Sequence, residues 1–193
     1  HKPIFKGSED FVGQIIHPQE WNSTIDYENK KVAVIGSGAT AITLIPEIAK
    51  KASHVTMIQR SPTYIASAPS KYKILHLLNY ISPKLGYKII RFTNILRQRR
   101  IYRRAMRSPE LVKNYLLDLV RDELPGFDIE KHFTPTYNPW EQRLCLAPDS
   151  DFFESINQKR VSVETETIDS FSEKGVQLDS GKLIEADIIV TAT

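Results

Sequence analysis

Apolar residues along this chain change their spacing from one stretch to the next, and the spacing predicts the elements. Lys31-Val-Ala-Val-Ile35 is a short, nearly continuous apolar run, as a strand buried on both faces of a parallel sheet requires. The glycine-rich stretch Gly36-Ser-Gly-Ala-Thr-Ala41 follows at once, and from Ile42 to Lys51 the apolar residues recur at helical spacing. Val55-Thr-Met-Ile-Gln59 predicts the next strand, which ends in Arg60-Ser61-Pro62, and Ser61 to Tyr64 turns the chain. Helical spacing returns over Ile74–Ser82 and Tyr87–Met106, with Ser82-Pro83 ending or restarting a helix. Ser108-Pro109-Glu110 has the residue types of a helix start, and that helix is expected to reach about Glu123, where Pro125-Gly126 stops it. Phe127 to Pro148 reads as a long loop, and Asp149 to Gln158 as a short helix capped by Asp149 or Ser150. Strands are expected at Val161–Val163, Ile168–Phe171 and Gly175–Leu178, with Asp179-Ser-Gly181 turning into Leu183-Ile184. Asp187 to Thr193 reads as a last buried strand, and Pro3 to Asn29 as irregular connection.

Strand, glycine turn and helix in that order give the pattern G-x-G-x-x-A a chemical meaning. Gly36 permits a tight turn, Gly38 lets the backbone approach a pyrophosphate, and Ala41 is small enough for close packing of helix on strand. Ser37, Ala39 and Thr40 complete a phosphate cradle at the helix N-terminus, where unpaired N–H groups and a partial positive charge favour an anion. Arg60 lies roughly 20 residues past the glycines, at the end of the next strand, where an acid would bind the ribose 2′-hydroxyl of NAD. An arginine there suits the 2′-phosphate of NADP, and Ser61 adds a hydroxyl. The expected fold is therefore α/β. A Rossmann-like dinucleotide domain spans residues 31–193, carries a helical insertion over about 71–125 and a small β-meander, and follows a connecting segment at 1–30.

Composition adds bounds rather than detail. The 193 residues suffice for one large domain or two small ones, and 41% are hydrophobic. A single cysteine, Cys145, excludes an internal disulfide or C-x-x-C pair and fits a reducing, cytoplasmic compartment. There is no signal-peptide pattern and no run long enough to span a membrane. The net charge is only +3, yet no Asp or Glu occurs between Ile48 and Pro109. Arg97, Arg99, Arg100, Arg103, Arg104 and Arg107 invite three readings. No recognition motif accompanies them, which argues against nucleic acid. Leu96, Ile101, Tyr102 and Met106 could supply the apolar stripe of a membrane-surface helix. The third reading is a solvated face, or one docking on acidic parts of another domain.

Phe11-x-Gly13-x-x-x-His17-x-x-x-Trp21, directly before the glycine turn, resembles the fingerprint of class B flavoprotein monooxygenases in its Baeyer–Villiger form, with Asn22 where members usually have Pro or Asp. Taken alone, a histidine beside Pro18 is most often structural. The resemblance implies that the segment links FAD and NADP domains, and that His17 is needed for activity without being the chemical acid or base. The stretch from Tyr137 to Phe153 is similar to the corresponding loop in the subgroup related to the ethionamide-activating monooxygenase. On residues alone, Arg143 is a loop arginine as suited to a surface ion pair as to a ligand. The resemblance places it against flavin and nicotinamide. Gln142 stands where better-known members have a lysine on the 2′-phosphate, leaving more of that contact to Arg60.

The resemblance implies an NADPH-binding domain of an FAD-dependent monooxygenase. FAD is expected on a domain outside this chain, both chain ends on a domain boundary, and the chain alone inactive. The intact enzyme would insert one oxygen of O2 into a ketone, sulfide or amine through a C4a-peroxyflavin, with Arg143 stabilising negative charge. Its expected partners are its own FAD-binding domain, a small organic substrate and O2, with no nucleic acid and a possible peripheral membrane contact. The alternatives are the NADPH domain of a flavin disulfide reductase and a non-enzymatic binding module using the basic helices.

Overall fold

Val32 and Val34 of the first apolar run join one buried cluster, and Ala33 and Ile35 another. A strand with two apolar faces needs a covering layer on each side. The structure, a computed structural model, describes residues 5–22, 24–71 and 82–193 and contains both layers. In chain order its strands are β1 (Gln14–Ile16), β2 (Lys31–Ile35), β3 (His54–Gln59), β4 (Tyr64–Ala68), β5 (Leu144–Pro148), β6 (Val161–Thr165), β7 (Ile168–Ser172), β8 (Gly175–Leu178), β9 (Leu183–Glu185) and β10 (Ile188–Thr191). The helices are α1 (Ala39–Ile48), α2 (Pro83–Arg107), α3 (Pro109–Glu123), α4 (Ile129–Phe133) and α5 (Asp151–Asn157).

Among the described residues, five strands form one parallel sheet in the order β1-β10-β2-β3-β6. Val34 lies opposite Met57 of β3 and Val190 of β10, so their side chains share a face. That face packs against Ile42, Ile45 and Ile48 of α1, Phe152 and Phe153 of α5, and Phe133 of α4. The three phenylalanines meet edge to face, with ring centroids 5.6–6.4 Å apart. Each buried ring stabilises the layer by about 2 kcal/mol. The opposite face, with Ala33, Ile35, Ile58 and Ile189, is covered by the antiparallel meander β7-β8-β9 through Phe171, Val176, Leu178 and Ile184. Parallel sheet, α/β layering and meander agree with the sequence expectation.

The differences are local and have physical causes. The segment read as irregular connection contains β1, an edge strand three residues long, and a 3-10 turn at Pro18–Glu20. So short a strand shows no periodicity; its partner β10 lies far along the chain, and the Ile16 carbonyl accepts from Thr191 Oγ1 at 3.4 Å across 175 residues. The expected loop at Phe127–Pro148 contains α4 and β5. β5 pairs in parallel with β4, Ile65 opposite Cys145, making a two-stranded ribbon where Ser61–Tyr64 alone had suggested a turn. Helix α1 begins at Ala39 rather than Ile42, because Gly38 is its N-cap. It ends at Ile48, two residues after Pro46 removes a backbone donor.

The helical insertion forms outer layers beyond the ribbon: α3 packs on β4, and α2 packs on α3. The helix expected over Ile74–Ser82 falls mostly on residues 72–81, outside the described ones; Ser82 itself precedes α2, which runs unbroken for 25 residues. Ser108 and Ser150 flank helix starts without a side-chain capping bond. Ser150 Oγ instead donates to the Glu123 carboxylate at 2.7 Å and lies 2.9 Å from Ser67 Oγ, pinning α3 to the β4–β5 end.

Candidate functional site

The carboxyl ends of β2 and β3 open onto a cleft of about 400 Å³. In open parallel sheets this is the edge at which ligands bind. Gly36 turns the chain there with φ +125°, and its N–H donates to the Ile58 carbonyl at 2.8 Å. A Cβ at this position would stand 2.5 Å from the carbonyl oxygen of Ala192, so β10 approaches too closely for any residue but glycine. Gly38 differs. Its φ is −80°, and a Cβ there would closely meet only Arg143 Nη1, at 3.2 Å. Neither backbone conformation nor the core demands a glycine at 38; its missing side chain keeps space open between the turn and Arg143.

Helix α1 starts at that space. The Ile42 N–H bonds the Gly38 carbonyl at 3.0 Å, so the N–H groups of Ala39, Thr40 and Ala41 have no acceptor within the helix. No acidic residue lies in the first turn, leaving the positive pole uncompensated. Ala39 and Thr40 are exposed, Ser37 is nearly buried, and Ala41 is fully buried beneath the turn.

Two guanidinium groups line the cleft. Arg60 and Ser61 follow β3, and Arg143 precedes β5. Among the described residues neither arginine is paired with a carboxylate. Glu166, also on the cleft wall, is committed elsewhere: its carboxylate accepts from the Ser180 N–H and from Ser180 Oγ, the latter at 3.0 Å.

Arg143 is held by its backbone. Its carbonyl accepts from Thr63 Oγ1 at 3.2 Å and from the Tyr137 hydroxyl at 3.1 Å, and those two hydroxyls are 3.0 Å apart. The Tyr64 hydroxyl donates to the Tyr137 carbonyl at 2.7 Å, and the two rings meet edge to face. Burial, reinforced by Tyr137, pushes the Tyr64 hydroxyl up to about 12, so it stays protonated and donating at neutral pH. Cys145 Sγ donates to the Ser37 carbonyl at 3.7 Å, joining β5 to the glycine turn; burial raises its thiol pKa. Gln59, one residue before Arg60, donates through Nε2 to the His132 carbonyl at 2.7 Å and to Thr165 Oγ1 at 2.9 Å. His132 Nδ1 lies 2.8 Å from the same hydroxyl, and burial lowers its pKa.

The cleft thus gathers Gly36, Ser37, Arg60, Ser61 and Arg143 as the sequence suggested. It does not gather His17 or Gln142, and Gly38, Ala39, Thr40 and Ala41 lie outside its lining, on the end of the turn and the first residues of α1. His17 caps the 3-10 turn after β1, Nδ1 accepting the Gln19 N–H at 3.3 Å. It stands at the same carboxyl edge of the sheet, two strands from β2, about 10 Å along the ladder. Gln142 is exposed and outside the cleft lining. Sequence reasoning missed Phe5, stacked on Phe171 at 4.8 Å, and Glu166-Thr167 after β6. The carboxyl-end rule could have flagged the second pair, since β6 lies beside β3; nothing in the sequence marked Phe5. Among the described residues no cluster of His, Cys, Asp or Glu could hold a metal ion.

The model of a family described as FMO-like, flavin-binding monooxygenase-like, matches residues 1–117. The chain belongs to this family. Among flavin-binding monooxygenase-like relatives, it is 49% identical to the FAD-containing monooxygenase EthA of Mycobacterium tuberculosis (strain ATCC 25618 / H37Rv), over all of this chain and 40% of that protein. It is 50% identical to the probable FAD-binding monooxygenase AlmA of Acinetobacter baylyi, over all of this chain and 39% of that protein. The chain thus spans about 40% of the length of the curated relatives it matches. Its fold is that of part of an oxidized steroid monooxygenase bound to NADP, with TM-score 0.78 and 20% identity over the whole chain and 44% of that structure. Cyclohexanone monooxygenase from Rhodococcus sp. Phi1 bound to NADP+ matches with TM-score 0.74 and 22% identity, over the same shares. Family and α/β fold are as the sequence led one to expect.

Proposed function

We propose that this chain is the NADPH-binding part of an FAD-dependent monooxygenase, and that the cleft beside Gly36 and Gly38 is where the dinucleotide lies. The observation that carries the reading is the cleft at the carboxyl ends of β2 and β3: the glycine turn, Arg60 and Arg143 line it, neither arginine has a carboxylate partner among the described residues, and the start of α1 follows the turn directly. The residues fit the group. The N–H groups of Ala39, Thr40 and Ala41 bind the pyrophosphate. Arg60 and Ser61, at the next strand end, hold the 2′-phosphate; a guanidinium fork grips a phosphate bidentately.

Bound NADPH supplies a hydride, and FAD, held mainly by chain outside these residues, supplies the chemistry with O2. Arg143 would bring a positive charge to the bound dinucleotide, its backbone anchored through the carbonyl by Thr63 and Tyr137. A preorganised donor in a water-poor site contributes on the order of 3 kcal/mol to a developing anion. His17, at the sheet edge two strands away, acts through the connection to the FAD-binding part rather than on the reacting atoms. Residues 1–30 form that connection and 31–193 the NADP-binding domain, with its insertion at about 71–125. The substrate is a small organic ketone, sulfide or amine, the protein works in the cytoplasm, and the chain alone does not turn over.

The test is NADPH-dependent oxygen consumption by the intact protein with each substrate class, beside direct NADPH titration. Saturable NADPH binding with substrate-stimulated oxygen uptake supports the reading. Disulfide reduction without oxygen uptake would assign the cleft to a flavin disulfide reductase. That rival gains nothing from Cys145, a single thiol that is buried.

A further inference from the structure

Helix α2 carries nine of the chain's 26 basic residues and none of its 23 acidic ones, so acids are in excess everywhere else. It is also the outermost layer, seated mainly on α3. Its two buried positions, Gly86 and Ala105, define the seated face. Ile101 and Tyr102 turn toward the β4–β5 ribbon, where they line a groove with Leu144 and Leu146; Tyr102 meets Trp140 edge to face at 6.3 Å. Though partly exposed, they line the groove on the ribbon side, not the side opposite the seated face.

A different stripe faces outward. Leu85, Ile89 and Phe92 recur at i, i+4 and i+7, so they share one side of the helix, opposite the seated one. They are 50%, 40% and 64% exposed. Continuing toward the C-terminus, that same side becomes cationic with Arg99, Arg100, Arg103 and Arg107, while Lys88 flanks the apolar part. Apolar wedge and cationic track thus lie end to end on one exposed helix.

We propose that α2 docks on an anionic lipid bilayer, lying flat with Leu85, Ile89 and Phe92 in the interfacial region and its arginines among the headgroups. Charge complementarity selects this partner. Each basic residue near an anionic leaflet is attracted to it, while long aliphatic stems let the charges stay in the headgroup layer. A nucleic-acid phosphate track would be set against three bare apolar side chains, and a second copy would bring two acid-free cationic helices together. No described helix is long and apolar enough to cross a membrane, so the mode is surface docking rather than insertion.

The experiment uses the intact protein and sedimentation with phosphatidylcholine vesicles, with and without about one-third phosphatidylglycerol. The expected result is salt-sensitive binding to the anionic vesicles alone. Replacing Arg99, Arg100 and Arg103 with Gln should lower partitioning at least about tenfold, and Phe92→Ser roughly tenfold, with melting temperature and NADPH affinity unchanged. A Phe92→Trp variant should show a blue-shifted emission quenched by brominated lipid. The proposal is overturned if anionic vesicles do not bind, or if binding survives both the arginine and the Phe92→Ser changes. It is also overturned if duplex DNA binds through these arginines while vesicles do not, or if α2 amides in the lipid-free protein exchange as slowly as those of α3, which would mean that the rest of the protein already covers the helix. Because NADPH titration is read separately, failure here leaves the cleft assignment standing, and the converse holds too.

Discussion

The two walls of the cleft are built by different means. One wall, from β2 through the glycine turn to Arg60, comes from a single stretch of about 30 residues, fixed by backbone geometry: a positive φ at Gly36 and the close approach of Ala192. The other wall carries Arg143, and side-chain hydroxyls hold it: Thr63 is 80 residues away in sequence, and Tyr137 six. Backbone constraint leaves no room for substitution; hydroxyl-to-carbonyl bonds can be removed one at a time. The first wall should therefore fail abruptly when altered, and the second by degrees.

Gly36→Ala should give the largest effect. The new methyl would overlap a backbone oxygen in a conformation that L-residues avoid, costing about 4 kcal/mol. Thermal unfolding of the intact protein checks it, and a loss under about 1 kcal/mol would mean that the turn yields and the contrast is false. Next is Arg60→Glu, which puts a repelling charge where the proposed site has a guanidinium for phosphate. NADPH affinity should fall about 100-fold and the preference over NADH should vanish. An unchanged preference would remove Arg60 from the site.

Tyr137→Phe tests the graded wall. One of two donors to the Arg143 carbonyl is lost while Thr63 remains, so the expected cost is about 1 kcal/mol, seen as a few-fold weaker NADPH affinity with the fold intact. A collapse as large as that of Gly36→Ala would erase the distinction between the walls. The smallest effect concerns pH. The His132 pKa is lowered by burial, so the folded state binds its proton less readily than the unfolded chain. Stability from this residue is fully present above pH 6.5, the ordinary value, and is lost as pH falls through the lower folded value. Replacing His132 with Gln should flatten that part of the melting-temperature profile, and a profile unchanged by the substitution would mean that other groups set it.

What could be read from the sequence follows the same division. Gly36 to Ala41, Arg60 and Ser61 were visible because their constraints lie within one strand–turn–helix–strand unit. Arg143 entered only through a family resemblance, since residues about 80 positions apart assemble its support and no local spacing reports them. The ribbon pairing of Tyr64–Ala68 with Leu144–Pro148 was hidden for that reason: each half is short, and prolines lie close to both. Phe5 reaches the cleft only by stacking on Phe171, a contact between segments that are individually featureless. The meander, in contrast, was legible from Asp179-Ser-Gly181, because a tight hairpin announces its own turn.

The position of β10 between β1 and β2 bears on how the molecule comes to exist. On a ribosome, Gln14–Ile16 would emerge early and find no ladder to join until Ile188–Thr191 followed, and β2 would lack one of its two neighbours for as long. The glycine bend itself leans on Ala192. Vectorial synthesis therefore leaves the carboxyl end of the sheet open until nearly all of this sequence has cleared the exit tunnel, a late closure that slows folding and exposes strand edges to chaperones in the interval.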